Sequence, residues 1–453
     1  MICALVVARV LGPETYGVIS AATVYVLLTT LLLDQGLAVA LVQRPNLSPR
    51  LPGAVAMANL VSAAVLAVLT WVAAPAVALF FSAPGLAELL RVLAVALVLK
   101  GVAITPRAML QRRLAFPRLA VADVAGGLAG ALAGITAALQ GAGTWSLAWQ
   151  VVTTDAVVAV IVVVAGRGAR PNFDWAELRT VLPFSLRVFG SNALAYLSRN
   201  SDNILVGRFL GVEALSLYSM AYRVLVIPVQ MIGQTVNRVS FPTLARLADQ
   251  PQRMADQVLR TFELLAFAAI PSMGFAAVAS PELVRLVLGD QWLPAAPLLS
   301  VLAVAGARET IFSLNHSVMR AKAAGTWILR YEFLATGAQV AGIVIGLKFG
   351  VMGVAIGYAS VGFALTPVLL YMQSQLTGLS VKTQLGRLLP PVHATVWSVL
   401  GYLVVRLAGL PPLLTAVLGL VAFGGICIGT LLLAHRRPLG RVMAGVRSIL
   451  RRG

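Results

Sequence analysis

Five basic side chains, Lys100, Arg187, Arg199, Arg223 and Arg308, lie inside long apolar runs of the sequence. A charge held at the centre of a bilayer costs from about 2.5 to more than 10 kcal/mol depending on the scale, so such residues usually face a polar cavity and an anionic partner. Arg199, Asn200, Asp202 and Asn203 fall in one five-residue block, with Arg187 twelve positions earlier. At about 100° per residue, positions 199, 202 and 203 share a helix face and 187 lies about 120° round from 199. Two readings are open. Arg199 and Asp202 can pair at i,i+3 as a neutral structural couple. One carboxylate cannot neutralise both arginines, however, and guanidinium forks match phosphate oxygens in bidentate fashion, so the surplus charge suits a diphosphate.

Lys100 precedes Thr105-Pro106, where the proline is expected to break or bend the helix and free backbone groups. It either lines a cavity or snorkels toward the interface. Arg223 follows Tyr218 and Tyr222, whose hydroxyls can position it or a sugar, and Arg308 adjoins Glu309, which makes self-neutralisation the simpler reading. Asn315 and His316 extend that polar lining. Among the acids, Asp34, Asp123, Asp155 and Glu332 are candidates for proton or sodium coupling, because a carboxylate within a span can exchange its charge for a bound proton or cation. Asp34 sits at a broken Asp-Gln-Gly turn, Asp123 lies one turn from Arg112, Arg113 and Arg118 and can be their partner, and Asp155 is the most isolated.

The elements that must carry these residues are membrane helices. The chain is 59% hydrophobic and 11% charged, with a mean hydropathy of +0.90, whereas soluble domains are nearer 45–50% apolar. A helical span needs roughly 20 apolar residues. About 13 to 14 spans fit, the first of them a short fragment at the N-terminus that reads as a misplaced start or truncation. The expected organisation is an N-terminal bundle at 1–166, a linker with interfacial character at 167–181, a C-terminal bundle at 182–372, two additional helices at 373–434 and a basic tail at 435–453. Of the 35 lysines and arginines, 24 fall in one set of alternating loops plus the tail and 6 in the other, which places both termini in the cytoplasm by the positive-inside rule. The net charge of +19 is therefore mostly topogenic and requires no nucleic-acid partner, although the tail can also hold anionic headgroups of membrane lipids. Cys3 and Cys427 read as small buried hydrophobes.

One duplication is visible. Leu11-Gly-Pro-Glu14 and Leu210-Gly-Val-Glu213 are 199 residues apart, each with a nearby tyrosine, and Gly141 to Trp149 and Gly350 to Tyr358 occupy span-to-span turns 209 apart. Structural repeats are common in transporters, with the substrate path near the midplane. Gly126, Gly130 and Gly134 recur every fourth residue, a pattern for close helix packing.

The stretches Leu11 to Gly17, Asp34 to Arg44 and Tyr196 to Gly211 resemble the bacterial polysaccharide repeat-unit flippases, which export O-antigen, exopolysaccharide or teichuronic-type precursors. They belong to the multidrug/oligosaccharidyl-lipid/polysaccharide exporter superfamily. The resemblance runs over nearly the whole chain and is most specific at Ser198 to Asn203 followed by Gly207 to Gly211. It implies an all-α fold of two six-helix bundles in pseudo-two-fold relation around a central cavity, plus two C-terminal helices. It also implies a non-enzymatic flippase in the bacterial inner membrane, moving undecaprenyl-diphosphate-linked oligosaccharide by alternating access. Its expected partners are that substrate, a proton or sodium ion, and polysaccharide polymerase machinery. No cofactor is expected: the three histidines lack metal spacing and no phosphate-binding glycine loop precedes a Lys-Ser/Thr pair. The rivals are a multidrug antiporter, whose cavity for cationic drugs should be acidic, a lipid II flippase, and a membrane glycosyltransferase or polymerase, which should carry a long extracytoplasmic loop.

Overall fold

A computed structural model of the chain describes residues 2–33, 36–166 and 170–450. The side chains of Ile2, Arg187, Ser191, Ala195 and Ser198, and those at 224–235, 237–239 and 445–450, stand outside that description. Every regular element among the described residues is helical. The chain divides into two compact units, residues 1–216 and 217–453.

The first unit holds α1 (Ile2–Leu33), α2 (Leu37–Gln43), α3 (Leu51–Phe80), α4 (Leu86–Arg112), α5 (Phe116–Leu139), α6 (Trp145–Gly166), α7 (Trp175–Arg179), α8 (Leu182–Phe209) and the start of α9 (Gly211–Arg246). Here α4 packs on α3 and α6, α5 packs on α6, and α1 meets α4, α5 and α8. The second unit holds the rest of α9, then α10 (Pro251–Val278), α11 (Ser280–Val287), a 3-10 turn (Asp290–Ala295), α12 (Ala296–Phe312), α13 (Leu314–Ala321), α14 (Gly325–Leu347), α15 (Gly350–Ala364), α16 (Thr366–Thr377), α17 (Val381–Leu407), α18 (Pro412–Ala434) and α19 (Arg436–Leu450). In this unit α10 packs on α12 and α17, α14 on α15, α12 on α15 and α17 on α18.

Apolar side chains cover the outside as well as the inside. Val72, Leu79, Leu132, Val164, Val404 and Val421 are all exposed, a patchwork far larger than a soluble surface tolerates and suited to lipid tails. Ten helical stretches among the described residues are long and apolar enough to cross a membrane. Helices α4, α8 and α9, at 27, 28 and 36 residues, have the length as well and carry four of the five basic residues found within apolar runs. The protein is an all-α, multi-pass membrane protein.

The duplication is visible in the backbone. Gly12 and Gly211, the glycines of the two Leu-Gly-x-Glu motifs, both take positive φ (77° and 87°), as do Gly141 and Gly350 (79° and 70°). Two further pairs carry the same left-handed turn in the same register: Ser82 with Gly289, and Leu114 with Ala323. Non-glycine residues seldom adopt this conformation, so its recurrence at near-constant separation marks the repeat independently of residue identity. The pairing α3–α4, α4–α6 and α5–α6 in the first unit recurs as α10–α12, α12–α15 and α14–α15 in the second.

The expected glycine packing is present. A Cβ on Gly134 would stand 2.9 Å from Gln150 Cβ, and one on Gly130 would stand 2.6 Å from the Gln150 carbonyl oxygen while striking the Thr154 hydroxyl. A Gly130→Leu substitution must therefore separate α5 from α6. Overpacking of this kind costs about 1–3 kcal/mol, and a lowered melting temperature of the detergent-purified protein checks it. Pro106 does not break its helix: α4 continues through it. Tight packing of Gly101 against Ala63 and a buried Asn59 to Thr105 hydrogen bond of 3.1 Å hold α4 on α3 beside it.

Candidate functional site

A cavity of about 510 Å³ lies within the first unit, lined by α1, α2, α4 and α6. This is the size of a small-ligand site. Its walls are apolar, with Leu33, Val39, Ile104 and Val158 among them, and its polar groups are Thr30, Gln43, Lys100, Arg107, Gln111 and Asp155. On α4, residues 100, 107 and 111 fall within an arc of about 40° at 100° per residue, so one face presents a lysine, an arginine and an amide in succession.

Lys100 Nζ donates to Thr30 Oγ1 at 3.1 Å and stands 3.7 Å from Asp155 Oδ2. The second distance is that of an ion pair rather than a hydrogen bond. The two side chains are 24% and 15% exposed, and Asp155 Oδ2 is buried with no hydrogen-bond partner. Arg107 grips Asp123 of α5 with a fork, Nη1 to Oδ1 at 2.7 Å and Nη2 to Oδ2 at 2.8 Å. The cavity thus holds two cations, one tied by a bidentate pair and one by a longer contact to an under-satisfied carboxylate.

This arrangement gathers three of the sequence candidates and separates the others. Lys100 faces the cavity. Asp155 is its partner rather than isolated, and Asp123 is paired with Arg107 rather than with Arg112, Arg113 or Arg118. Arg112 instead donates to the carbonyls of Leu41 and Pro45 at 2.9 Å each, while Arg113 and Arg118 reach Gly166 and Ala165 carbonyls at 3.4 Å. These arginines sit on the C-terminal carbonyls of α2 and α6, where the helix dipole favours a cation. Arg44 does the same for Thr180 after α7, at 2.8 Å.

The block on α8 is placed differently. Arg199 is exposed and Asp202 is buried at 7%, so the two do not present one face to one environment. Asp202 Oδ1 accepts from the Asn203 amide at 2.8 Å, and Asn200 Nδ2 donates to the Tyr196 carbonyl at 3.1 Å. Tyr196 ties α8 to α1 through a 2.7 Å bond from its hydroxyl to the Val24 carbonyl. None of these four polar residues is among those lining the cavity. Asp34 and the Arg187 side chain lie outside the described residues, and Arg223 is half-buried on α9.

In the second unit, Arg308 does not pair with Glu309. Its Nε donates to Thr366 Oγ1 at 3.2 Å, its guanidinium stands over Phe312 at 5.7 Å, and Glu309 accepts the Tyr358 hydroxyl. Asn315 is buried and donates to the Leu369 carbonyl at 3.2 Å. His316 meets Glu332 at 2.8 Å, both substantially exposed, so Glu332 is not a buried acid.

Two ion-pair systems escaped sequence reasoning. Glu263 of α10, 4% exposed at its side chain, receives Arg387 of α17 at 2.8 Å and Arg441 of α19 at 2.7 Å. Glu282 receives Arg406 Nε at 2.9 Å and Nη2 at 2.6 Å. The cavity role of Arg107 was also missed, although its i,i+7 spacing from Lys100 was readable.

A sequence profile of a family described as polysaccharide biosynthesis protein matches residues 6–297. The chain is 28% identical over 308 residues to the teichuronic acid biosynthesis protein TuaB of Bacillus subtilis, covering 64% of this chain and 61% of that protein. It is 26% identical over 361 residues to the lipopolysaccharide biosynthesis protein WzxC of Escherichia coli, covering 78% and 73%. Among solved structures, a lipid II flippase MurJ in an inward closed conformation superposes with a TM-score of 0.71 over 94% of this chain and 96% of that one. At 12% identity that likeness is one of fold.

Proposed function

The chain belongs to the polysaccharide biosynthesis protein family, and from that premise we propose that it is a flippase for lipid-linked oligosaccharide. The cargo is an undecaprenyl-diphosphate-bound repeat unit, carried from the inner to the outer leaflet of the bacterial cytoplasmic membrane by alternating access. The observation that carries this reading is the cavity of the first unit. Lys100 and Arg107 line it together with Gln43 and Gln111, a lining that combines charge for a diphosphate with amides for sugar hydroxyls. A cavity for cationic drugs would need unpaired acids, whereas here both acids at the site already face cations.

Asp155 is the coupling residue in this proposal. Its buried Oδ2 without a hydrogen-bond partner can take a proton or sodium ion, and neutralising the carboxylate releases Lys100 to the substrate. Both termini are assigned to the cytoplasm, supported by the asymmetry of basic residues.

Complementation tests the proposal. Expressed in a bacterium deleted for its own repeat-unit flippase, with the same repeat-unit chemistry supplied, the wild-type protein is expected to restore surface polysaccharide. Resistance to cationic drugs without restored polysaccharide, at confirmed membrane expression, would replace the flippase reading with an antiporter.

A further inference from the structure

Lys100 and Arg308 are separated by 208 residues. That separation falls between those of the two left-handed turn pairs flanking them, Ser82 with Gly289 and Leu114 with Ala323. The two cations are therefore repeat-equivalent. Each reaches from its helix to a later helix of its own unit: Lys100 from α4 to Asp155 on α6, Arg308 from α12 to Thr366, which opens α16 just after α15. The polar partner differs in kind. The first unit offers a carboxylate and the second a hydroxyl.

Arg308 consequently has a hydroxyl partner where Lys100 has a carboxylate. Among the described residues no carboxylate lies within ion-pair distance of it, and the adjacent Glu309 is engaged by Tyr358. Its Nη2 is buried with no hydrogen-bond partner. The guanidinium lies against α15 at Gly362, where a Cβ would stand in ordinary contact, 3.6 Å from Nη1 and 3.8 Å from Cζ. A half-buried guanidinium using one donor of five, inside a membrane span, is destabilising unless something else completes it. The chemistry that completes a planar guanidinium fork beside a hydroxyl is a phosphate-type anion.

We propose that Arg308, with Thr366, forms a diphosphate subsite in the second unit that no carboxylate blocks, whereas its repeat-equivalent Lys100 is held by Asp155. This rests on the flippase reading and assigns the second unit the standing affinity for the substrate's anionic head.

The test is binding by the purified full chain in detergent, read as ligand-induced thermal stabilisation and native mass spectrometry. The probes are undecaprenyl diphosphate, inorganic pyrophosphate and phosphatidylglycerol. Wild type is expected to bind the two diphosphates and to prefer undecaprenyl diphosphate over phosphatidylglycerol. Arg308→Gln should weaken diphosphate binding at least about tenfold, the size expected for losing one charge-assisted hydrogen-bonded contact. Without ligand the same variant should melt at or above the wild-type temperature, because it removes an uncompensated charge. Arg308→Lys should bind with intermediate affinity, and Arg253→Gln, at an exposed cytoplasmic position, should bind as wild type. If Arg308→Gln binds diphosphate undiminished, or melts lower with its ligand-induced shift intact, the residue is structural and the subsite is overturned while the flippase reading stands. If phosphatidylglycerol competes equally, the site is a lipid-headgroup site and the substrate assignment is overturned. If wild type binds no diphosphate at all, the flippase reading itself falls.

Discussion

Replacing Lys100 with methionine is expected to abolish polysaccharide export. Asp155 would keep its burial and lose the cation 3.7 Å away, with no hydrogen-bond donor in place to take over. Removing one partner of a buried pair destabilises by about 3–5 kcal/mol, because the charge left behind is uncompensated. Loss of export in Lys100→Met alone would therefore mix a folding defect with a transport defect. The double variant Lys100→Met/Asp155→Leu separates them. Replacing both members of a buried pair with apolar residues is often neutral or stabilising, so this protein should be recovered from the membrane at the wild-type level and melt near the wild-type temperature. It should still export nothing. Restored export in the double variant would show that the pair is purely structural. Protein yield, melting temperature and surface polysaccharide measured side by side read all three.

The second large effect is expected at Glu263. Its carboxylate is nearly inaccessible and gathers two arginines from helices far along the chain, Arg387 on α17 and Arg441 on α19. Arg441 makes two contacts, Nη2 to Oε1 at 2.7 Å and Nε to Oε2 at 3.3 Å. A Glu263→Ala substitution leaves both guanidinium groups without their anion and loses about 1.5–3 kcal/mol, the size of lost charged hydrogen bonds, because the two arginines keep access to water. The loss is directional. Leu439 packs at the edge of the small cluster formed by Ala394, Cys427 and Leu431, and among the described residues the Arg441 contact ties α19 to α10. The variant should release α19, and limited trypsin digestion should clip its Arg436 to Arg441 segment far faster than in wild type. Unchanged protection would mean that apolar packing alone holds the tail helix.

Much of the architecture was legible because membrane helices declare themselves by composition. The duplication was legible from two short motifs, Leu-Gly-x-Glu and the Gly141 and Gly350 turns, and the positive φ of those glycines explains why the motifs persist: the backbone turn demands the residue type. Two further turns of the repeat were invisible, since Ser82 corresponds to Gly289 and Leu114 to Ala323 and no identity survives between them.

The site was legible only in part. Lys100 and Asp155 were both singled out, but 55 residues of sequence hid their pairing. In the sequence Arg107 is simply one of the 24 basic residues of the richer loop set, because a basic side chain near the end of a span looks the same whether it faces the cytoplasm or a cavity. Its register with Lys100 on one helix face was the signal that could have found it. The Arg199 block drew the most weight in the sequence, as the densest polar cluster in an apolar run. Its geometry on α8 instead separates an exposed arginine from a buried aspartate, because a 60° difference in helix angle is enough to cross the boundary of a packed face. Glu263 could not be found at all. Its partners lie 124 and 178 residues away, and no periodicity carries information over that distance.

The most direct test of the central claim is translocation itself. Purified protein would be reconstituted into liposomes carrying an undecaprenyl-diphosphate oligosaccharide, and the fraction of sugar accessible to an impermeant glycosidase would be followed over time. The wild-type protein is expected to make nearly all of the sugar accessible, while Lys100→Met/Asp155→Leu liposomes should stop at the outer-leaflet half, as protein-free liposomes do. A wild-type protein that leaves accessibility at the protein-free level, with folding verified by its melting transition, would contradict the assignment of this cavity to lipid-linked oligosaccharide transport.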